Sequence, residues 1–319
     1  MNTAVIVCVY TEERWDLIAQ VLRSLRSQTL QASEVLVVVD HNDALYERLA
    51  SHLLDTAMTE TKLVRNGLSP GLSGARNTGL AMTQADVVAF IDDDAEADVN
   101  WLSRLTEGFD DRLVVGVGGA ILPVWPSERP VWFPQEFDWV VGCTYRGMPT
   151  ARSEVRNPIG ANMAFRREPL ASIGGFDATV GRIGASGQGC EETTAAIRLR
   201  DLNPEYRVVY EPTALVYHHV ETRRTSWRYF RQRCYAEGRS KAQVARLTSS
   251  ERALATERSY VRRVLPQAVG ASLYGAAKHR NPVAAGTAAA VIAGLTFTCI
   301  GYLTAMHGPS RLAAQSAHH

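Results

Sequence analysis

The first 120 residues alternate between two hydrophobic periods, and this alternation limits the fold more than any other feature. Between the first two apolar runs, Trp15, Ile18, Leu22 and Leu25 recur at spacings of three and four, which is typical of one helix face. Continuous apolar, β-branched runs predict strands buried on both faces. They occur at Ala4–Val9, Glu34–Val39, Thr61–Val64, Asp86–Ile91 and Leu113–Val117. Strands separated by helical segments predict an α/β fold with an open, mostly parallel, Rossmann-like sheet and flanking helices.

Composition narrows the class of protein. The chain has 319 residues, 34 Lys and Arg against 33 Asp and Glu, and 46% hydrophobic residues. This usage excludes disorder and a fibrous chain, and a net charge of +1 gives no reason to expect nucleic acid as a partner.

The five cysteines are scattered and never spaced C-x-x-C. They argue against structural zinc and a disulfide framework and favour a reducing, cytosol-facing catalytic part. The N-terminus lacks the pattern of a secretory signal.

Beyond residue 120 the composition changes at two further points. Residues 223–263 hold twelve basic residues against three acidic ones, and residues 282–306 contain no charged residue. A helix needs about 20 apolar residues to cross a bilayer, so the second stretch predicts a transmembrane helix, with a buried helix or hairpin of a soluble fold as the alternative. Lys278 and Arg280 precede it and place the catalytic part on the cytoplasmic face of the cell membrane. Four segments are expected: 1–120, 121–222, 223–281 as basic membrane-proximal helices, and 282–306 as the transmembrane helix.

The stretch from 121 to 222 is rich in aromatic residues and proline. Five aromatic rings lie between Trp125 and Trp139, which predicts a long ordered loop whose rings either stack on a ligand or anchor the loop. Short strands are expected at Val208–Tyr210 and Ala214–His219.

Carboxylates follow two of the predicted strands. Asp40 ends the second strand, and Asp92, Asp93 and Asp94 end the fourth. Ligands of open parallel sheets bind at these carboxyl ends. Three adjacent carboxylates repel one another, so a divalent cation bridging to a diphosphate is a sensible compensation. The alternatives are a solvated acidic turn for the triplet and a turn cap for Asp40.

Three other motifs could take part in chemistry. Arg76 follows a Gly-rich loop, where it either balances a phosphate or is an ordinary surface residue; the loop lacks both the dinucleotide and the P-loop spacing. Glu191 and Glu192 precede a helical stretch, where they either favour the helix start or provide a general base. His218 and His219 close a strand, as a metal ligand or as structural residues.

In chain order, these motifs resemble the family 2 glycosyltransferases, which have the GT-A fold. The resemblance covers residues 3–222 through CVYTEE, VVVDHND, GLSGARNTG, FIDDDA, GANMAFRR, GGFD, GCEET and VYHH. The stretches NPIGANMAFRR and VVGCTYRGMP are most similar to lipid-linked glucuronosyltransferases and related prokaryotic membrane glycosyltransferases.

The resemblance implies that residues 1–120 form the nucleotide-sugar-binding half and residues 121–222 the acceptor and catalytic half. It also implies a role for each site residue. A divalent cation, Mn²⁺ or Mg²⁺, is implied at Asp92, Asp94 and His218. Glu192 is implied as the catalytic base, with Glu191 beside it. Residues implied to bind the nucleotide sugar are Tyr10, Glu12, Asp40, Arg76, Asp92, Asp93 and Asn162. The chain departs from the family in having Glu where the base is usually Asp, Cys190 where Gly is common, and DHND after the second strand.

The resulting hypothesis is an inverting, metal-dependent transferase. It would move a sugar from a nucleotide sugar, UDP-linked before GDP- or dTDP-linked and with UDP-glucuronate as a candidate, to a lipid-linked or glycan acceptor. The basic segment would contact anionic membrane lipids. Two other classes stay open at this point. A nucleotidyltransferase would need a basic Gly-rich loop near the N-terminus, and a non-catalytic sugar-nucleotide-binding membrane protein would leave the Glu191–Glu192 pair unexplained.

Overall fold

The structure is a computed structural model that describes residues 1–56, 61–178, 191–247 and 255–307. The chain divides into two compact units. The first comprises Met1–Val124, Gly142–Thr144 and Met148–His219, and the second comprises Trp125–Val141, Tyr145–Gly147 and Val220–His319. These units do not follow the four segments expected from the sequence, whose functional division stays a prediction.

The first unit is built on one mixed sheet, with strand order β3-β2-β1-β4-β8-β6-β9-β5 and β7 paired with β9. The strands are β1 (Thr3–Val9), β2 (Glu34–Val39), β3 (Thr61–Arg65), β4 (Val87–Asp92), β5 (Ala95–Ala97), β6 (Val114–Val124), β7 (Ser153–Val155), β8 (Asn162–Arg166) and β9 (Arg207–His219).

The four strands β3, β2, β1 and β4 run parallel, as the alternating hydrophobic pattern predicts. The middle residues of β1, β2 and β4 are buried on both faces, which explains why each of these three strands is a continuous apolar run, whereas the edge strand β3 is partly exposed. The chain passes from β1 to β2 and β3 on one side and returns to β4 on the other. The carboxyl ends of β1 and β4 therefore meet at a topological switch point, where such sheets bind ligands.

The other half of the sheet corrects two details of the expected strands. The strand expected at Leu113–Val117 extends to Val124 as β6. The two short strands expected near residue 210 are one strand, β9, paired in parallel with β6. The register jumps from Gly119 opposite Glu211 to Ala120 opposite Leu215, so Pro212 lies in a bulge that the polar sequence made resemble a turn.

Among the residues that the structure describes, six α-helices belong to the first unit: α1 (Trp15–Arg26), α2 (Asp43–Asp55), α3 (Leu72–Ala81), α4 (Trp101–Glu107), α5 (Arg167–Ser172) and α6 (Glu191–Leu202). The predicted apolar face of α1 is buried through Ile18, Leu22 and Leu25. A core of strand and helix residues, with Phe90, Phe165 and Phe176 at its centre, supports the strand ends from below.

The second unit contains the remaining helices: α7 (Trp227–Leu247), α8 (Ala255–Ser259), α9 (Leu265–His279) and α10 (Pro282–His307). Rings of the aromatic stretch pack on each other and on Phe230 of α7, with Phe133 and Phe137 almost fully buried. The aromatic stretch therefore anchors the loop, and the ordered loop was predicted correctly. In the part of the chain that the structure describes, α10 is the one helix long and apolar enough to cross a membrane, and 22% of its most apolar window is buried.

Candidate active site

The switch point of the sheet brings together charges from β1 and β4. Arg14 lies in a short 3-10 helix, Glu12–Arg14, that follows β1. Its Nη1 atom is 2.6 Å from Oδ1 of Asp93 and 3.0 Å from Oδ2 of Asp94. Both aspartates are buried, at 4% and 3% exposure, so the triplet is not a solvated acidic turn. An arginine thus balances two of the three carboxylates, and the sequence analysis did not identify it.

Burial makes Asp93 an unusual carboxyl group. The pKa of Asp93 is raised to about 7, chiefly because burial disfavours its charge and secondly because Asp94 repels it; Arg14 opposes the rise. Its Oδ2 atom is buried without a hydrogen-bond partner, whereas Oδ1 accepts from Arg14. The Oδ2 atom of Asp93 is therefore an unsatisfied hydrogen-bond acceptor at the place where the nucleotide sugar is expected to bind.

Arg76 joins the end of β4 to the start of α6. It lies in α3 at 2% exposure, so the alternative of a surface arginine is wrong. Its guanidinium donates to Oδ1 of Asp92 at 3.3 Å, to Oε1 of Glu191 at 3.1 Å and to the carbonyl of Gly160 at 2.9 Å. Burial alone would lower the pKa of Arg76, but the carboxylates of Asp92 and Glu191 outweigh burial and raise it. The guanidinium is a permanent buried cation.

The two glutamates of α6 differ in their surroundings. Glu191 is 3% exposed and tied to Arg76, while its Oε2 atom has no hydrogen-bond partner. Glu192 is half-buried, and its charge reaches Arg76. Glu191 is thus fixed inside the protein, whereas Glu192 is the more exposed member of the pair. Cys190 and the preceding GASGQG lie outside the described residues.

His218 lies next to Asp94. The Nε2 atom of His218 is 3.7 Å from Oδ1 of Asp94. His218 belongs to β9 and pairs with Ala95 of the antiparallel strand β5. Carboxylate oxygen and imidazole nitrogen suit a divalent cation, and two ligand atoms at this spacing could share one. Among the described residues no three His, Cys, Asp or Glu side chains form a ready-made cage. A cation at Asp94 and His218 would therefore need further oxygen ligands, such as those of a diphosphate or water.

Asp40 organises the Gly-rich loop. Its carboxylate accepts from Asn66 Nδ2 at 2.6 Å and from the backbone N–H of Gly71 at 2.8 Å, and it contacts the ring of His41 at 2.9 Å. His41 has a φ of 52°, a left-handed conformation that a non-glycine residue rarely adopts. The turn-cap interpretation of Asp40 is thus realised in the structure, and its contact with a nucleotide stays a prediction.

The other predicted donor-binding residues fall into two groups. Tyr10 and Glu12 are exposed directly after β1, and the Arg14 guanidinium lies 5.4 Å from the centre of the Tyr10 ring. Asn162 is different, because its side chain donates to the carbonyls of Ala120 and Ala214 and accepts from Trp101. At 0% exposure it holds the sheet together, which corrects the donor contact expected from the sequence.

Comparison with known proteins identifies the family. Residues 4–174 match the glycosyl transferase family 2 domain. The chain belongs to glycosyl transferase family 2. A relative in Haloferax volcanii, a glucosyl-dolichyl phosphate glucuronosyltransferase, is 34% identical over 242 residues, which cover 76% of each protein. A pre-mycofactocin glycosyltransferase of Mycobacterium tuberculosis is 31% identical, but the match covers 35% of that longer protein.

Solved structures confirm the GT-A fold. The mannosyltransferase PcManGT from Pyrobaculum calidifontis, in complex with GDP-Man and Mn²⁺, has a TM-score of 0.57 and 18% identity. It matches 99% of this chain and 78% of its own. GalNAc-T7 with UDP, GalNAc and Mn²⁺ has a TM-score of 0.54 at 17% identity, over 74% of this chain and 47% of its own. The family decides among the three classes left open by the sequence: the protein is a glycosyltransferase.

Proposed function

We propose that this glycosyltransferase transfers a sugar with inversion from a UDP-linked donor, UDP-glucuronate, to a lipid-linked acceptor on the cytoplasmic face of the cell membrane. A divalent cation, Mn²⁺ or Mg²⁺, would be held by Asp92, Asp94 and His218.

One observation supports this proposal above all: Arg76 is bonded to both Asp92 and Glu191, which are 16 and 115 residues away along the chain. This contact places the acidic strand end of β4 beside the glutamate pair of α6. A diphosphate of the nucleotide sugar at the end of β4 and an acceptor hydroxyl at the start of α6 would therefore be neighbours, as a single displacement requires.

The chemistry assigned to the chain is a general-base step. Glu192 would accept the proton of the acceptor hydroxyl while that oxygen forms a bond to the anomeric carbon of the sugar. The bond from the anomeric carbon to the diphosphate oxygen breaks in the same step, and the electron pair leaves with the nucleoside diphosphate. Glu191 would keep Arg76 and the start of α6 in place, because its carboxylate is already bound to that guanidinium.

The charges around Asp92–Asp94 suit a diphosphate. When bound, the cation would neutralise the negative charge that develops on the leaving diphosphate. Arg14 and Arg76 add two positive charges bonded to the same three aspartates. Asp93, with its unpartnered Oδ2 atom, would accept a hydrogen bond from a donor hydroxyl.

The donor and the acceptor are proposed from the relative in Haloferax volcanii, whose name states a glucuronosyl transfer to glucosyl-dolichyl phosphate. A dolichyl chain resides in a membrane. The exposed apolar helix α10 and the excess of basic residues in 223–263 suit an enzyme that works at the membrane surface.

A transfer assay tests the proposal. Full-length protein in mild detergent receives a short-chain polyprenyl phosphate glucoside, Mn²⁺ or Mg²⁺, and one of several nucleotide sugars: UDP-glucuronate, UDP-glucose, UDP-N-acetylglucosamine or GDP-mannose. We expect transfer from UDP-glucuronate, loss of transfer with EDTA, and a β-linked product by NMR, since the donor is α-linked. An α-linked product would refute inversion, and preferred transfer from GDP-mannose would refute the donor assignment.

A further inference from the structure

The C-terminal half of the apolar helix α10 is packed against another helix of the same unit, α7. The backbones of α7 and α10 touch where glycines remove the side chain: a Cβ on Gly238 would lie 2.0 Å from the carbonyl oxygen of Thr298, and one on Gly301 would lie 2.0 Å from that of Tyr235. Only glycine fits at either position, so each helix contributes one glycine to a close crossing.

Polar contacts extend this interface to the end of α10. Tyr235 Oη lies 3.1 Å from Oγ1 of Thr304, and Arg246 Nη2 donates to the carbonyls of Ala305 and Met306 at 2.7 and 3.0 Å. With Arg231 over the Phe297 ring, the contacts with α10 extend from residue 231 to residue 246 of α7. The two helices form one packed pair.

α7 cannot enter the hydrocarbon of a bilayer at low cost. Its seven charged residues are spread over the whole helix: Arg228, Arg231, Arg233, Glu237, Arg239, Lys241 and Arg246. A charge at the bilayer centre is expensive and needs a partner there. If α10 crossed the membrane with this packing intact, the charged helix would have to cross beside it.

The opposite face of α10 is an apolar stripe, formed by Ile292, Cys299, Ile300, Leu303 and Met306. Its large side chains are exposed, with Ile292 and Leu303 both at 54%. Their spacing of three, four and seven residues keeps them on one side of the helix. Exposed apolar side chains continue on α9 with Leu273 and Tyr274.

The charges in this last part of the chain have one sign. After Glu257 the sequence contains no acidic residue, whereas Arg262 and Arg263 precede the uncharged part of α9, and Lys278 and Arg280 lie between that part and α10. These four basic side chains are exposed. An apolar helix face preceded by exposed basic residues is complementary to the acyl chains and the anionic headgroups of one leaflet.

We infer that α10 does not cross the membrane but lies in the plane of the cytoplasmic leaflet, with the apolar stripe in anionic phospholipid and the opposite face on α7. This replaces the transmembrane helix expected from the sequence. It deepens the proposed function, since it would hold the catalytic unit at the surface where a lipid-linked acceptor is reached. Both tests below read membrane contact and not transfer, so their failure is distinguishable from failure of the proposed activity.

Cysteine labelling tests the topology. Sealed inverted membrane vesicles, with the cytoplasmic face outward, are prepared from cells that express the full-length chain with Arg280→Cys or His307→Cys. An impermeant maleimide is added before or after detergent, and each cysteine is read by peptide mass spectrometry. We expect both introduced cysteines to react fully in intact vesicles and the natural Cys299 to react only after detergent. Reaction of His307→Cys only after detergent would show that α10 crosses the membrane, and reaction of Cys299 in intact vesicles would show that the stripe is not in lipid.

Vesicle flotation tests the side chains and the charge. Full-length Ile292→Glu/Leu303→Glu is compared with Leu54→Glu, which changes an 82% exposed leucine of the first unit. We expect the double variant to bind vesicles containing about one-third phosphatidylglycerol at least about tenfold more weakly than wild type, and Leu54→Glu to bind as wild type. Equal binding by both variants would refute the stripe. Equal binding of wild type to pure phosphatidylcholine vesicles would refute the anionic partner.

Discussion

Replacing Arg76 by methionine should destabilise the first unit strongly. Methionine keeps the unbranched apolar stem of the side chain but removes the guanidinium that is bonded to Asp92, Glu191 and the Gly160 carbonyl. Glu191 would be left at 3% exposure without its counter-ion. Removal of one partner of a buried ion pair costs about 3–5 kcal/mol. For a unit of about 200 residues, that corresponds to a fall in Tm of roughly 6–20 °C.

Urea unfolding of the full-length protein, followed by fluorescence, measures this loss. Arg104→Met is the matched control, because Arg104 forms an exposed pair with Glu107 of the same helix, with side chains 46% and 55% exposed. An exposed pair contributes about 0.2–1 kcal/mol, so the control should unfold almost as wild type.

A double variant separates the ion pair from the loss of packing. If the penalty comes from the unpaired carboxylate, Arg76→Met/Glu191→Gln should recover about 0.5–3 kcal/mol relative to the sum of the single changes. Additive single changes, or a penalty for Arg76→Met no larger than that of Arg104→Met, would refute the argument that Arg76 is the buried counter-ion of Glu191.

Three further predictions concern the acidic triplet and the helix pair. Burial raises the pKa of Asp93 to about 7, so wild type loses stability as the pH rises from the ordinary carboxyl range through 7. In EDTA, the unfolding free energy of Asp93→Asn should therefore increase relative to that of wild type over this pH interval. A difference that does not change with pH would contradict this prediction. Gly301→Ala should lower the free energy of unfolding by about 1–3 kcal/mol, because the new Cβ would lie 2.0 Å from the Tyr235 carbonyl oxygen. Gly270→Ala is the control, because a Cβ at that position would meet open space. Equal melting temperatures for the two variants would disprove the close crossing. Asp94→Ala should abolish metal-dependent transfer with little change in far-UV circular dichroism, and full activity at ordinary metal concentrations would remove Asp94 from the metal site.

The parallel half of the fold was predictable because burial on both faces leaves a continuous apolar run. β2 has the expected bounds Glu34–Val39. β9 was not predicted as one strand, since Glu211, Pro212 and Thr213 interrupt its apolar pattern, and only pairing with β6 shows that the strand continues through a bulge.

The site was predictable where motifs lie at strand ends and not where long-range contacts decide. The acidic triplet after β4 was found, but its partner Arg14 is 79 residues from Asp93 and lies in a charged TEERW run typical of a surface. The expected neighbourhood of β1 and β4 in the sheet was the signal that could have placed Arg14 beside the acidic triplet. Asn162 shows the opposite error. Its motif predicted contact with the nucleotide sugar, whereas its side chain is buried and accepts a hydrogen bond from Trp101.

The central claim, that Glu192 is the catalytic base of a sugar transfer, is tested most directly by turnover of Glu192→Gln and Glu191→Gln at saturating donor, with donor affinity measured separately. Glutamine keeps the shape of the side chain but cannot accept the proton. We expect Glu192→Gln to lower turnover by about 10²–10⁴-fold with donor affinity nearly unchanged. Glu191→Gln should be milder in turnover and should lower stability through Arg76. A dead Glu191→Gln beside an active Glu192→Gln would contradict the assignment, and unchanged turnover in both would place the base elsewhere.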